Sequence, residues 1–156
     1  MMTANTETRL RPLAAGDVDR LTRLDAMTSG GGSRTSFFER RLKAEQARAE
    51  GFFSCIAERG GDVVGFALGH VLDGEFGVKG RVAVLDAIAV DPGAQRQGVA
   101  RALMAEFDRV ARARGANEMR TQAQWNQPAL VEFFAAAGFR LAPRVVLERP
   151  TEYVNF

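Results

Sequence analysis

Thiol and imidazole chemistry is almost missing from this chain: its 156 residues hold one cysteine, Cys55, and one histidine, His70. A single cysteine excludes an intramolecular disulfide framework, and a single histidine leaves too few ligands for a structural zinc site, so no metal is expected. Long apolar runs are missing too. No segment approaches the roughly 18 to 20 consecutive apolar residues of a membrane-spanning helix. Met1 to Thr8 is polar and does not resemble an export signal, which predicts a cytoplasmic protein without a membrane partner. Nor is one sign of charge in surplus: 21 Lys and Arg against 19 Asp and Glu leave a net charge of +2, too little to mark the whole chain as a nucleic-acid binder. What is present is a 46% hydrophobic share against 26% charged, the balance of a folded protein with a real core. At a usual prior of roughly 100 to 200 residues per domain, residues 1–156 are expected to form one domain.

Periodicity supplies the elements. Thr8 to Pro12 predicts a short strand, and Val18, Leu21, Leu24 and Met27 behind Asp17 predict a helix. The glycine run Ser29-Gly30-Gly31-Gly32-Ser33 reads as a mobile loop. Ser36 with Glu39 has the spacing of a capping box, from which a helix would run to Glu50 and stop at Gly51. Phe52 to Glu58 and Val63 to Val71, joined through Gly60-Gly61, predict an antiparallel hairpin. A second glycine-rich loop, Leu72 to Gly80, leads into Arg81 to Val90, a nearly unbroken apolar run interrupted by Asp86. Val99, Leu103, Phe107, Val110 and Ala111 then recur at helical spacing up to Gly115, and Glu118 to Gln122 looks extended. Asn126 is placed to cap a fourth helix through Ala137, and Phe139 to Leu141 with Val145 to Arg149 suggest a closing pair of strands. The expected class is therefore α+β: a mixed, mostly antiparallel sheet of about seven strands flanked by about four helices.

The chemistry concentrates where the central strand turns into the third helix. The strand ends at Val90, Pro92 and Gly93 turn the chain, and a helix begins near Gly98, leaving first-turn amides without intrahelical acceptors. Such donors, together with the helix dipole, favour an anion. Gly98 permits close backbone approach, Ala100 is small, and Arg96 and Arg101 add charge, which suits a pyrophosphate. A plain strand-to-helix turn that merely caps its helix has the same ingredients. Between Gly93 and Arg114 five arginines stand against Glu106 and Asp108, a local basic patch. Neither the G-x-x-x-x-G-K-S/T nor the G-x-G-x-x-G nucleotide pattern occurs.

Gln95-Arg96-Gln97-Gly98-Val99-Ala100 resembles the Q/R-x-x-G-x-G/A signature of the GNAT superfamily of acetyl-CoA-dependent N-acetyltransferases. The preceding Ile88-Ala89-Val90-Asp91-Pro92 resembles that family's fourth strand, and Arg101-Ala102-Leu103-Met104 the helix that follows it. Asn126 to Phe139, with Asn126, Ala129 and the ending Gly138-Phe139, resembles a second, later family segment. The resemblance implies that the amides from Gln95 through Arg96, Gln97, Gly98, Val99 and Ala100 to Arg101 hold the pyrophosphate of acetyl-CoA. It also implies that Ile88, Ala89 and Val90 pair with the pantetheine arm as an extra strand. Asn126 and Phe133 would touch the arm from the other side. The fourth and fifth strands would splay apart to receive the thioester. A homodimer through the C-terminal strands is a further implication.

Acetyl transfer to an amine needs a neutral nucleophile, a donor for the oxyanion and a proton for the departing thiolate. Asp86, the sole ionisable group inside its strand, is the candidate for drawing a proton from the acceptor's ammonium, directly or through water. Its alternative is to orient a loop or satisfy backbone donors, since an aspartate with an ordinary pKa of about 3.9 is a poor base at neutral pH. Asp73 and Glu75 are weaker candidates for contacting a cationic acceptor. Many relatives carry tyrosine four residues before the helix-ending glycine as the general acid; here Phe134 stands there, and Tyr153 lies in the tail. The resemblance implies direct transfer in a ternary complex, which suits a chain whose lone Cys55 lies in the hairpin, away from the signature, and is expected to be a small core residue. His70 is expected to be structural or solvated. The leading expectation is an N-acetyltransferase with a small-molecule or protein amine as acceptor. The alternative is a CoA-binding sensor with little activity. Nucleic-acid binding is disfavoured because the basic helix lacks interleaved aromatics.

Overall fold

The computed structural model describes residues 7–29, 32–77 and 79–152, so Tyr153 and the Gly30-Gly31 centre of the first glycine loop lie outside the described residues. Contacts divide the chain into two compact units, Met1–Gln122 and Ala123–Phe156.

The first unit holds one five-stranded sheet in the order β1-β2-β3-β4-β5, with β1 Arg9–Arg11, β2 Phe52–Arg59, β3 Asp62–Asp73, β4 Arg81–Val90 and β5 Ala116–Thr121. The first three pairings are antiparallel and β4 with β5 is parallel, joined across α3 Val99–Ala113. Helices α1 Val18–Ser29 and α2 Thr35–Gln46 pack with Leu13, Ile56, Phe66, Leu68, Ala87 and Ala89 into one core. On α3, Val99, Leu103, Met104, Phe107 and Ala111 form the buried stripe that packs against β2, β3 and β4. Covered by helices from both sides, β4 can be apolar almost throughout, which is why its sequence does not alternate. Two glycines let α3 approach: a Cβ at Gly65 would meet Val99 Cγ1 at 3.1 Å, and one at Gly69 would meet Phe107 Cε2 at 2.7 Å.

The second unit contains α4 Pro128–Ala136, whose Phe134 stacks against both Phe133 and Phe139, with ring centroids 5.4 and 5.3 Å apart.

Four helices and a mostly antiparallel sheet agree with the sequence expectation, but the sheet has five strands among the described residues, not about seven. Phe139 to Leu141 and Val145 to Arg149 carry no strand, and Leu141, Val145, Val146 and Leu147 are exposed. A strand exists through its ladder partner, and β-propensity without one does not make it. Two caps also differ. Arg34, held by both oxygens of Asp25 at 2.7 and 2.6 Å, is the residue from which α2 starts, so the Ser36 and Glu39 box is not used. Pro128, with its φ preset for a first helical turn, makes Gln127 the N-cap of α4 in place of Asn126. At its other end α2 stops at Gln46, four residues short of the expected Glu50, and the chain turns through Arg48 in the left-handed region (φ 52°).

Candidate functional site

The site begins where β5 ends and β4 continues. The pairing of β4 with β5 runs from Arg81 opposite Ala116 to Leu85 opposite Thr121 and ends there. Thr121 Oγ1 donates to the Leu85 carbonyl at 3.0 Å, closing the last rung. Beyond it, Ile88, Ala89 and Val90 pair with β3 alone, so among the described residues their other edge has no strand neighbour.

That edge leads into a rigid turn. Asp91 accepts from the Gly93 amide at 2.8 Å and from Arg20 Nη2 at 2.5 Å, and these two donors hold its carboxyl below the ordinary carboxylate range. Gln95 Nε2 reaches the Val90 carbonyl at 3.3 Å. Arg96 and Gly98 are both left-handed, with φ of 62° and 84°. Gly98 is the N-cap of α3 with no side-chain cap, and a Cβ placed on it would meet nothing within 4 Å. Among the described residues no side chain caps the first-turn amides of Val99, Ala100 and Arg101. Gln97 is fixed from behind by Arg59, which donates through Nη2 to its carbonyl at 2.9 Å and through Nη1 to its side-chain oxygen.

The basic patch separates into two parts. Arg109 pairs with Glu106, Arg112 with Asp108, and Arg114 donates to the Phe52 carbonyl. Arg96 and Arg101, the two nearest the turn, have no ion-pair partner among the described residues. Unpaired positive charge thus remains on the residues that flank the uncapped helix start.

Asp86 lies at an irregularity. Leu68 pairs with Ala87 and Gly69 with Leu85, so Asp86 is the extra residue of a bulge in β4, directly after the last rung shared with β5. Its Oδ2 receives Arg41 Nη2, and His70 Nδ1 at 2.7 Å. Arg41 Nη1 also donates to the carbonyl of Gly69, opposite the bulge, at 2.9 Å. Arg41 is stacked over Phe37 and Phe52, with its guanidinium carbon 5.2 and 4.6 Å from the ring centroids. Asp86, Arg41 and His70 are all partly buried. Sequence reasoning found Asp86 but neither partner in this role. A signal existed in Arg41, an arginine on the stripe that also carries Phe37, Phe38 and Leu42.

Other candidates fall elsewhere. Asp73 is exposed and paired with Arg81 at 3.0 Å, and Glu75 is exposed. Cys55 is buried, and burial, with help from Glu106, pushes its thiol up to about 12. Asn126 and Phe133 belong to the second unit, and Asn126 is exposed. Among the described residues no group of His, Cys, Asp and Glu could hold a metal ion, and no helix is long and apolar enough to cross a membrane.

The profile of the "Acetyltransferase (GNAT) family" matches residues 19–139. The chain belongs to the GNAT acetyltransferase family. Members of that family are acyltransferases, and acetyl-CoA is their cosubstrate. No curated protein matches the chain by sequence. Solved GNAT structures share its fold. An aminoglycoside N-acetyltransferase, AAC(6')-Iy in complex with CoA, has a TM-score of 0.78 at 22% identity, covering 97% of this chain and 99% of its own. An aminoglycoside acetyltransferase from an uncultured soil metagenomic sample, in complex with sisomicin, has a TM-score of 0.70 at 20% identity, covering 94% and 97%. Glucosamine-6-phosphate N-acetyltransferase from Arabidopsis thaliana has a TM-score of 0.70 at 12% identity, covering 94% and 99%.

Proposed function

We propose that this GNAT protein moves an acetyl group from acetyl-CoA to a primary amine by direct attack in a ternary complex. The reading is carried by one observation: the edge of β4 loses its neighbour after Leu85 and runs straight into an uncapped helix start. In it, the amides from Gln95 to Arg101 receive the pyrophosphate, with Arg96 and Arg101 supplying charge. The free edge of Ile88, Ala89 and Val90 receives the pantetheine amides as an added strand. The thioester then lies beside Leu85 and Thr121, next to Asp86. Asp86 and the groups that it holds take the proton from the acceptor's ammonium.

The buried, protonated Cys55 thiol favours direct transfer over an acetyl-cysteine intermediate. We further read the two units as parts of one acetyltransferase domain over 1–156, since the family match runs across their boundary at Gln122. The cytoplasm is the proposed compartment. Exposed Leu141, Val145, Val146 and Leu147 support self-association into a dimer.

Calorimetry with acetyl-CoA, and thiol release with sisomicin, glucosamine 6-phosphate and a lysine-bearing peptide, test the reading. Amine-dependent thiol release is expected. Binding without it would favour a CoA-binding sensor, for which one observation speaks: Phe134, packed between two phenyl rings, offers no proton to a thiolate. Absence of binding by folded protein would overturn both.

A further inference from the structure

Resting on the acetyl-transfer reading, we infer that His70 is the group that takes the acceptor's proton, with Asp86 and Arg41 as its positioning residues. An ionised carboxylate only accepts hydrogen bonds, so the 2.7 Å contact between His70 Nδ1 and Asp86 Oδ2 requires the ring to carry its proton on Nδ1. That leaves the lone pair on Nε2, which no described residue engages. Asp86 Oδ2 is already engaged by both Arg41 Nη2 and His70 Nδ1, so its position is spent on holding the ring. Imidazole, with an ordinary pKa near 6.5, suits proton transfer at neutral pH better than aspartate does. Three contacts hold the ring in one place: the Asp86 hydrogen bond, the Arg41 hold on both Asp86 and the Gly69 carbonyl, and the β3 register that sets His70 opposite Val84. His70 stays 26% exposed at the side chain, so a substrate amine can reach it.

Charged groups surround the ring from each element that packs there. Asp86 comes from β4 and Arg41 from α2; Arg34, paired with Asp25 of α1, feels the Asp86 charge; Arg120 of β5 stands in register with Val84.

The step balances. His70 Nε2 accepts one proton from the ammonium, and the freed nitrogen lone pair forms the C–N bond at the thioester carbonyl. The C–S bond breaks with its electron pair on sulfur, and the second proton of the attacking nitrogen neutralises that thiolate. His70 then returns its proton to water, so one ammonium and one acetyl-CoA give one amide, one free thiol and one proton.

Because the chain has one histidine, tag-free native protein offers a direct test. The imidazole proton resonances are titrated by NMR and compared with the pH dependence of kcat for the amine of the panel that is turned over. Coincidence of the NMR midpoint with the acidic limb of kcat is expected. His70→Gln should lower kcat by about 10²- to 10⁴-fold and erase that limb, while leaving acetyl-CoA affinity unchanged. His70→Ala should regain rate with added imidazole. Asp86→Asn should move the limb to lower pH, a change that a merely structural aspartate would not cause. A limb more than about one pH unit from the NMR midpoint, or a His70→Gln enzyme with native kcat and pH profile, would overturn the assignment and leave acetyl transfer standing. Failure of the native protein to turn over any amine would overturn both.

Discussion

Asp17 is a buried carboxylate at the start of α1, and its surroundings decide its ionisation. Burial alone pushes it up, but two hydrogen bonds from Arg11, at 2.7 and 2.8 Å, and one from the Ala14 amide at 2.8 Å outweigh that, so it stays below the ordinary range. A group whose pKa is depressed by folding stabilises the native state above its unfolded value and loses that contribution as pH falls through the folded one. Asp17→Asn is therefore expected to cost about 1–3 kcal/mol at pH 7. In urea titrations across pH 7 to 2, the gap between the two proteins should shrink below about pH 4. A constant gap would show that shape, not charge, is what the carboxylate contributes. Cys55 shows the same force with no partner to answer it: burial leaves it a protonated core thiol, as its place among strand residues suggested.

At the scale of elements, β3 and its neighbours fix where the bulge falls. Gly69 has no room for a side chain, because a Cβ there would come within 2.6 Å of the Val84 carbonyl and 2.7 Å of Phe107. Gly69→Ala is expected to destabilise by about 1–3 kcal/mol through overpacking and to displace Asp86, since Gly69 faces Leu85 across the bulge and its carbonyl holds Arg41. Chemical denaturation and kcat should both report it; a loss of stability with native kcat would show that the bulge tolerates the shift. Arg59→Ala should release Gln97 and weaken acetyl-CoA binding by several-fold, with β2 otherwise intact. Affinity unchanged by calorimetry would mean that the turn holds its shape unaided. The β4, turn and α3 unit was legible in the sequence because its signals are local: an apolar run, Gly98 and Gly115 at the ends, and a helical stripe between them. The cluster around Asp86 was not legible. Arg41 and His70 meet it only through α2 packing and β3 pairing, and nothing in the spacing of the three residues encodes a bulge. The expected strands after Gly138 failed for a related reason, since Val145, Val146 and Leu147 have strand propensity but no described partner.

Across the whole molecule the net charge of +2 conceals how the charges are placed. Nine arginine–carboxylate pairs between described residues neutralise most of the buried and half-buried arginines, including Arg11, Arg20, Arg34 and Arg41, and the arginines at the outer face of α3 are answered by Glu106 and Asp108. The unpaired Arg96 and Arg101 flank amides that already carry the positive end of a helix dipole, so the field that a diphosphate meets is local and owes little to the overall sum. Exposed charges are screened over roughly 8 Å at physiological ionic strength, whereas amide hydrogen bonds are not lost to salt in the same way. Acetyl-CoA affinity should therefore have two components. In native protein it should fall as salt is raised from 50 to 500 mM. In Arg96→Ala/Arg101→Ala it should be weaker at low salt and much flatter across the same range, converging on the native value at the top. Gly98→Val, which places a β-branched residue at a φ of 84°, should instead lower affinity about equally at every salt concentration, because it distorts the amides and leaves the arginines in place. Isothermal titration of the three proteins at four salt concentrations separates these terms. A double-alanine protein that keeps the native salt slope would place the attraction elsewhere on the surface and remove the arginines from the site.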